Sequence, residues 1–245
     1  YVHCSPVMKD QTTKLSKRNG DASFEDLLAK GYLTEAVINF IALLGWAPKS
    51  EQEIFGLDEL IKEFDVNGVS KSPAIFDPVK LRAINAEYIR RLNIDDFLGY
   101  IMPYIKQSVK RDDINFKLLA EVLQPRTEVF TDIPEQVDFI DELPEYSSDL
   151  YCHKKMKTNQ ETSLIALNEI LPVLESIEDW TVETIHEELF KLIAKMEVKN
   201  GYVLWPLRTA VSGKQFTPGG GIELCVILGK NDTIERVKKA ISKLS

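Results

Sequence analysis

Apolar residues recur at intervals of three and four along most of this chain, which is the spacing of one face of an α-helix. The longest stripes of this kind lie in residues 34–45, 78–92, 161–177 and 182–196. Shorter helical patterns cover residues 24–30, 57–64, 95–107, 112–123, 134–142 and 233–244. Because helical periodicity dominates nearly everywhere, the pattern predicts a mainly α fold.

Residues that favour helix ends agree with these limits. Ser23 and Thr181 each stand just before a helical stripe, where a hydroxyl group can accept a hydrogen bond from a first-turn amide. Asp77 followed by Pro78 is typical of a helix start, since proline lacks the N–H that a first turn leaves unpaired. Gly31 follows the first short pattern and predicts its end.

Three stretches depart from the helical pattern. Residues 1–22 are polar and basic with little periodicity, and they predict a strand end that leads into a loop. Asn200 and Gly201 together predict a turn. Residues 222–228 are apolar throughout, and by composition alone they fit a buried strand.

Composition and charge limit the function. The chain has 245 residues, of which 44% are hydrophobic and 28% charged, as in an ordinary globular protein. Single cores tend to split at about this length, so we expect two or three small domains, with one boundary where residues 144–160 change from acidic to basic. The formal net charge of −8 argues against nucleic acid as a partner, although an acidic chain can carry local basic patches.

Cysteine usage and hydropathy indicate the compartment. Cys4, Cys152 and Cys225 are far apart and form no CxxC pair, which is typical of a reducing compartment, and we expect a cytoplasmic protein. Cys152 and His153 are neighbours, and neighbouring residues seldom chelate, so we expect no metal site there. No stretch approaches the roughly 20 apolar residues of a membrane span and no signal peptide is present, so we expect no membrane partner.

Two basic clusters with hydroxyl groups are candidates for phosphate binding. Residues 14–18 hold three cations, with Gly20 just beyond, and a second cluster, residues 70–72, contains Lys71 between two serines. An ammonium group suits phosphate charge, but short basic runs are also common on solvated surfaces. Arg126 stands on a proline-marked turn as a further candidate.

These segments together resemble the C-terminal half of bacterial-type glutamyl-tRNA synthetases, which are class I aminoacyl-tRNA synthetases. Residues 14–18 followed by Gly20 resemble the KMSKS signature of that family. The other segments that resemble the family, in its order, are residues 31–36, 44–46, 70–72, 76–77, 80–81, 85, 206–213, 228–229 and 234–236.

The resemblance implies a domain order for the whole chain. It divides the chain into a KMSKS loop region, a stem-contact helical domain and two all-helical anticodon-binding domains, at residues 1–22, 23–93, 94–157 and 158–245. It also implies that residues 222–228 are a helix. The family's Rossmann catalytic domain would precede residue 1, and none of its motifs occurs in this sequence.

For the full enzyme the resemblance implies ATP-dependent attachment of glutamate to tRNA. Lys17 would be the main cation on the pyrophosphate, Lys14 and Arg18 would assist it, and Ser16 completes the set facing the ATP phosphates. Mg²⁺ is expected with ATP. Since one loop without the opposite wall of the site cannot position phosphates, we expect the isolated chain to be catalytically inactive and to hold no cofactor.

What remains for this chain is tRNA recognition. The resemblance assigns Arg126 to the third anticodon base, with Arg208, the loop of residues 215–218 and Lys71 as weaker candidates. For Arg208 a structural ion pair is the alternative, and for Lys71 a solvated loop. The implied partner of this expected monomer is tRNA(Glu), and charging of tRNA(Gln) stays open. A helical protein-interaction scaffold that does not bind tRNA is the alternative function.

Overall fold

A computed structural model describes residues 5–16 and 23–245. The described residues contain twelve α-helices, which we number in chain order: α1 Phe24–Ala29, α2 Thr34–Gly45, α3 Leu57–Glu63, α4 Pro78–Arg91, α5 Ile94–Ser108, α6 Phe116–Leu123, α7 Ile133–Val137, α8 Gln160–Ser176, α9 Val182–Lys195, α10 Asn200–Ser212, α11 Gly221–Leu228 and α12 Lys230–Leu244. The prediction of a mainly α fold is confirmed.

A single small sheet accompanies the helices in the part of the chain that the structure describes. Strand β1, Val7–Met8, pairs in parallel with strand β2, Ala74–Ile75. The predicted strand end within residues 1–22 is therefore confirmed by β1.

The predicted caps form as expected. The Ser23 hydroxyl accepts a hydrogen bond from the amide of Asp26 at 3.1 Å, and the Thr181 hydroxyl accepts one from Thr184 at 3.2 Å. Asp77 accepts bonds from the amides of residues 79 and 80, just after the start of α4. Local capping chemistry thus set these three helix starts.

Three predicted helix limits are wrong by several residues, and one predicted turn is part of a helix. Helix α6 begins at Phe116 rather than at 112, because Asn115 caps it through the amide of Leu118. Helix α7 ends at Val137 rather than at 142, and α12 begins earlier, at Lys230. Asn200 and Gly201 form the first turn of α10 instead of a separate turn, and the missing side chain of the glycine leaves room for Met156.

Residues 222–228 are helical, as the resemblance implied, and not a strand. Helix α11 buries Ile222, Leu224, Cys225, Ile227 and Leu228, so it is apolar on nearly every side. A helix enclosed in this way shows no amphipathic period in its sequence, which is why composition alone did not identify it.

The chain divides into two compact units. The first unit comprises the described residues up to Tyr100 together with residues 124–133, and the second comprises residues 101–123 and 134–245. The four functional domains expected from the resemblance stay a prediction.

The first unit is built on the packing of α2 against α4. Asn39 of α2 is buried and accepts a hydrogen bond from the amide of Phe55 at 2.8 Å. Trp46, Phe55 and Leu60 form a small cluster next to α2, so Trp46 is a core residue.

The second unit packs α8 against both α10 and α12. Arg236 of α12 is only 6% exposed, and its guanidinium donates to the carbonyl groups of Phe139, Ile140 and Val211 at 2.6 to 2.9 Å. Burial lowers the pKa of Arg236 below its ordinary value. This arginine therefore fastens α10 and the segment after α7 to α12.

Candidate nucleic-acid interface

The first basic cluster follows a tight turn. The Asp10 carboxylate accepts hydrogen bonds from the amides of Thr12 and Thr13 at 2.9 and 2.8 Å. The hydrogen bond from the Thr12 amide, followed by the one from Thr13, lowers the pKa of Asp10 to about 2. Directly after the turn, Lys14 forms an antiparallel β-bridge with Met8, and Lys14 is exposed.

The structure describes one other member of this predicted ATP-phosphate set. Ser16 is exposed beyond the turn. Lys17 and Arg18 lie outside the described residues.

The small sheet places the second basic cluster beside the first. The Ser5 hydroxyl donates to the carbonyl of Lys71 at 2.7 Å, and Val7 pairs with Ala74. Lys71 itself is exposed. Lys14 and Lys71 are thus both exposed residues next to the same two-stranded sheet, although they are 57 positions apart in sequence.

The loop that carries Arg126 is held by hydrogen bonds to α4. The Gln124 amide group donates to the carbonyls of Ile89 and Leu92, both at 2.9 Å, and so ties the loop to the C-terminal end of α4. The buried Asn85 side chain donates to the carbonyl of Glu128 at 2.5 Å. Arg126 is exposed at the end of the short 3₁₀ helix Gln124–Arg126.

Ion pairs and one close approach complete this support. Arg82 of α4 pairs with Glu128 at 2.6 Å and with Asp132 at 2.5 Å. Gly31 adopts a φ of +81°, and a β-carbon there would lie 2.8 Å from the amide nitrogen of Phe130. The segment that follows Arg126, residues 128–132, is thus held by contacts with Asn85, Arg82 and Gly31, while Arg126 is exposed at the surface.

A second candidate surface lies on α10. The Arg208 guanidinium lies 4.3 Å from the ring centroid of Trp205, and it donates to the carbonyl of Gln215 at 2.8 Å. The Trp205 indole N–H donates to the carbonyl of Leu150 at 2.9 Å. These contacts orient Arg208 toward the following loop.

That loop presents an aromatic ring to solvent. Phe216 is 82% exposed, the largest exposure among the exposed large hydrophobic residues that the structure describes. The loop base is anchored by an ion pair between Lys214 and Asp138 at 2.5 Å and by a bond from the Thr217 hydroxyl to the carbonyl of Gly219 at 2.7 Å. An exposed ring on an anchored loop is suited to stacking on an unpaired base.

Sequence reasoning missed three residues of these surfaces: Asn85 in its supporting role, Gln124 and Trp205. Phe216 lies within the candidate loop of residues 215–218, although the sequence did not single it out. Trp205 precedes Arg208 by three residues, and that spacing on a helix indicates neighbouring side chains. Asn85 and Gln124 gave no such signal, because their partners are backbone atoms brought close only by folding.

The described residues, 5–16 and 23–245, also bear on metal binding and membrane insertion. No group of three or more His, Cys, Asp or Glu residues there could hold a metal ion. The ring of His153 lies 4.0 Å from that of Trp205, and its Nδ1 accepts a bond from the amide of Met156. None of the described helices is both long and apolar enough to cross a membrane.

Comparison with known proteins identifies the family. A family model described as "Anticodon binding domain" matches residues 96–241, and one described as "tRNA synthetases class I (E and Q), catalytic domain" matches residues 1–83. The glutamate–tRNA ligases of Clostridium tetani and of Clostridium botulinum strain Hall are 57% and 56% identical to this chain over 244 residues. These alignments cover 100% of this chain and 50% of each ligase.

Solved structures agree with that comparison. A glutamate tRNA ligase from Elizabethkingia meningosepticum, solved in complex with its amino acid, matches with a TM-score of 0.81 at 27% identity, over 99% of this chain and 51% of that one. The glutamate–tRNA synthetase of Elizabethkingia anophelis matches with a TM-score of 0.80 at 26% identity, over 97% of this chain and 50% of that one.

The chain belongs to the anticodon-binding-domain family of class I aminoacyl-tRNA synthetases. Within that class its relatives are glutamate–tRNA ligases, and it corresponds to their C-terminal half, as the sequence resemblance implied. The chain spans about half the length of the curated relatives that it matches.

Proposed function

We propose that this chain is the tRNA-binding part of a glutamate–tRNA ligase and that it binds tRNA(Glu) along the inside of the L-shaped molecule, from the stem to the anticodon. The observation that carries the proposal is the family match over residues 96–241, which describes an anticodon-binding domain. Two exposed surfaces within that range, around Arg126 and around Arg208, offer donors and an aromatic ring on anchored backbone.

Each candidate residue has a role in this proposal. Arg126 reads the third anticodon base, because a planar fork of donors can distinguish base edges. Arg208 and the loop of residues 215–218 bind the other anticodon bases, with Phe216 as the stacking ring. Lys71 contributes a phosphate contact on the stem.

In the full enzyme, the relatives' name implies ATP-dependent attachment of glutamate to tRNA. Lys14, Ser16, Lys17 and Arg18 would hold the ATP phosphates, and their charge and hydroxyl chemistry fits that group. Mg²⁺ would be bound with the ATP. The residues described here add no cluster of carboxylate ligands for the ion.

We propose that the isolated chain is inactive in aminoacylation, because transition-state charge must be met by groups on both walls of a site. Steady pyrophosphate exchange by the 245-residue chain, with glutamate, ATP and tRNA supplied, would contradict this. We also propose that the chain is cytoplasmic and monomeric. Sedimentation equilibrium of the purified protein tests the monomeric state.

Binding of tRNA transcripts tests the function itself. We expect the chain to bind tRNA(Glu) with a steep dependence on salt and to prefer the native anticodon. Arg126→Gln should reduce the preference at the third anticodon base by about 1–3 kcal/mol, roughly 5- to 150-fold. Arg90→Gln, which removes an exposed arginine paired with Glu87, is the matched control. Equal, weak binding to every RNA would instead favour a protein-interaction scaffold, and a tRNA(Gln) transcript in the same series tests dual charging.

A further inference from the structure

A lysine-rich turn lies in the second unit, just before α8. His153 and Thr158 exchange two backbone hydrogen bonds at 3.0 and 3.3 Å, and these bonds close residues 153–158 into a compact loop, which we call the lysine turn. Lys154, Lys155 and Lys157 lie within it and are all exposed. Lys157 adopts a φ of 57°, in the left-handed region that residues other than glycine rarely use.

The backbone of the lysine turn is anchored on α10. The His153 ring packs on Trp205, and its Nδ1 accepts a bond from the amide of Met156 at 3.2 Å. The Met156 side chain lies over Gly201, and a β-carbon at Gly201 would collide with its sulfur. The turn is therefore held in place while its three ammonium groups extend from an exposed surface.

Ion pairing distinguishes these lysines from others in the same unit. Lys191 pairs with Glu187 at 2.7 Å, Lys238 with Glu175 at 2.7 Å and Lys239 with Glu235 at 2.5 Å. Within the described residues, the three lysines of the turn form no ion pair.

The local balance of charge is positive. Lys199 immediately precedes α10, two residues from the glycine that Met156 covers, and it adds a fourth exposed cation. The acidic residues nearest to these lysines in sequence are Asp149, Glu161 and Glu197. Four cations against three acids leave a positive balance here, in a chain whose net charge is −8.

We propose that the lysine turn is a second RNA-binding site, which binds the phosphate backbone and reads no base. The proposal rests on the proposed function, because it assumes that the chain binds tRNA. Mobile ammonium groups act as point charges and suit phosphates, whereas base reading requires planar donors or stacking rings. The site would therefore add affinity equally for every anticodon.

Two triple variants of the 245-residue chain test this proposal. K154Q/K155Q/K157Q removes the cations of the turn, and K191Q/K238Q/K239Q makes the same change in net charge at lysines that are already paired. Each phosphate contact contributes about 0.7–0.9 to the slope of log affinity against log salt, so the turn variant should lose roughly 2–3 from that slope. Between 50 and 200 mM salt, the factor by which affinity falls should be about 20- to 40-fold smaller for the turn variant than for the unmodified chain.

The control and the choice of transcripts separate the possible outcomes. The control variant should keep the slope of the unmodified chain, and circular dichroism melts should show all three proteins folded alike. The turn variant should keep its preference for the native anticodon, since it lacks only backbone contacts.

A turn variant with the same slope as the control would overturn the site, leaving an acidic protein surface as the partner that its charge fits. If the unmodified chain shows no anticodon preference while the turn variant still loses slope, the proposed function fails and the phosphate site stands. If the unmodified chain binds no transcript, both are overturned.

Discussion

Asn85 connects the Arg126 loop to the interior of the first unit, and replacing it with alanine should loosen both. Its Oδ1 accepts a hydrogen bond from the amide of Leu33 at 2.8 Å, and its Nδ2 donates to the carbonyl of Glu128 at 2.5 Å. The side chain is fully buried. Asn85→Ala removes both bonds at once and leaves two backbone groups without their partner.

The expected loss follows from these two bonds. A buried polar group that loses its partner costs about 1–3 kcal/mol, and the Leu33 amide is such a group. The Glu128 carbonyl is part-buried, and it adds about 1 kcal/mol for one ordinary hydrogen bond. We therefore expect Asn85→Ala to reduce the free energy of unfolding by about 2–4 kcal/mol.

Urea denaturation measures this change. With a slope of about 2 kcal/mol per molar urea, the midpoint should fall by roughly 1–2 M. Hydrogen exchange should show that the Leu33 amide loses its protection. Asn67→Ala is the matched control, because the Asn67 side chain is exposed and bonds only to nearby Asp65, so its loss should stay within about 0.5 kcal/mol.

The reasoning would be refuted by a loss below about 1 kcal/mol with the Leu33 amide still protected. That result would mean that water replaces the asparagine and that the loop does not depend on it. Under the proposed function, Asn85→Ala should also reduce anticodon preference, since Arg126 would lose its fixed support, and Asn67→Ala should not.

Three further measurements address single side chains. The pKa of Asp10 is lowered from 3.8 to about 2, so its stabilisation of the turn is complete above pH 4 and is lost as pH falls toward 2. The protection factors of the turn amides, which correct for the pH dependence of intrinsic exchange, should therefore fall over that range, and not in Asp10→Asn. Burial raises the pKa of Cys225 to about 12, so alkylation at pH 8 should modify the exposed Cys152 and spare Cys225 until urea unfolds the chain. Phe216→Ala should leave stability within about 0.5 kcal/mol yet weaken tRNA(Glu) binding by about 1–3 kcal/mol.

Each of these has a distinct contradicting result. Turn amides with the same protection factors at pH 2 and pH 4 would show that the Asp10 carboxylate does not hold the turn. Equal alkylation of Cys152 and Cys225 in the folded chain would contradict the burial of Cys225. Unchanged tRNA affinity in Phe216→Ala would remove the stacking role while leaving the rest of the anticodon surface untested by that variant alone.

Much of the architecture is determined by local sequence. Helical stripes and capping residues such as Ser23, Asp77 and Thr181 located most helices, because hydrogen bonds within one turn decide where a helix starts. The resemblance in residues 14–18 and 206–213 pointed to the family that the comparisons later identified. Both kinds of signal lie within short segments and need no tertiary contact.

Tertiary structure decided what local signals could not. Gly201 lies in the first turn of α10, where Met156 packs against it, and the helix formed by residues 222–228 is enclosed on nearly every side, so its sequence shows no amphipathic period. Asn85 supports the Arg126 loop through a backbone carbonyl 43 residues away. Backbone groups carry no residue-specific signal, so contacts of this kind are defined only once folding has brought the segments together.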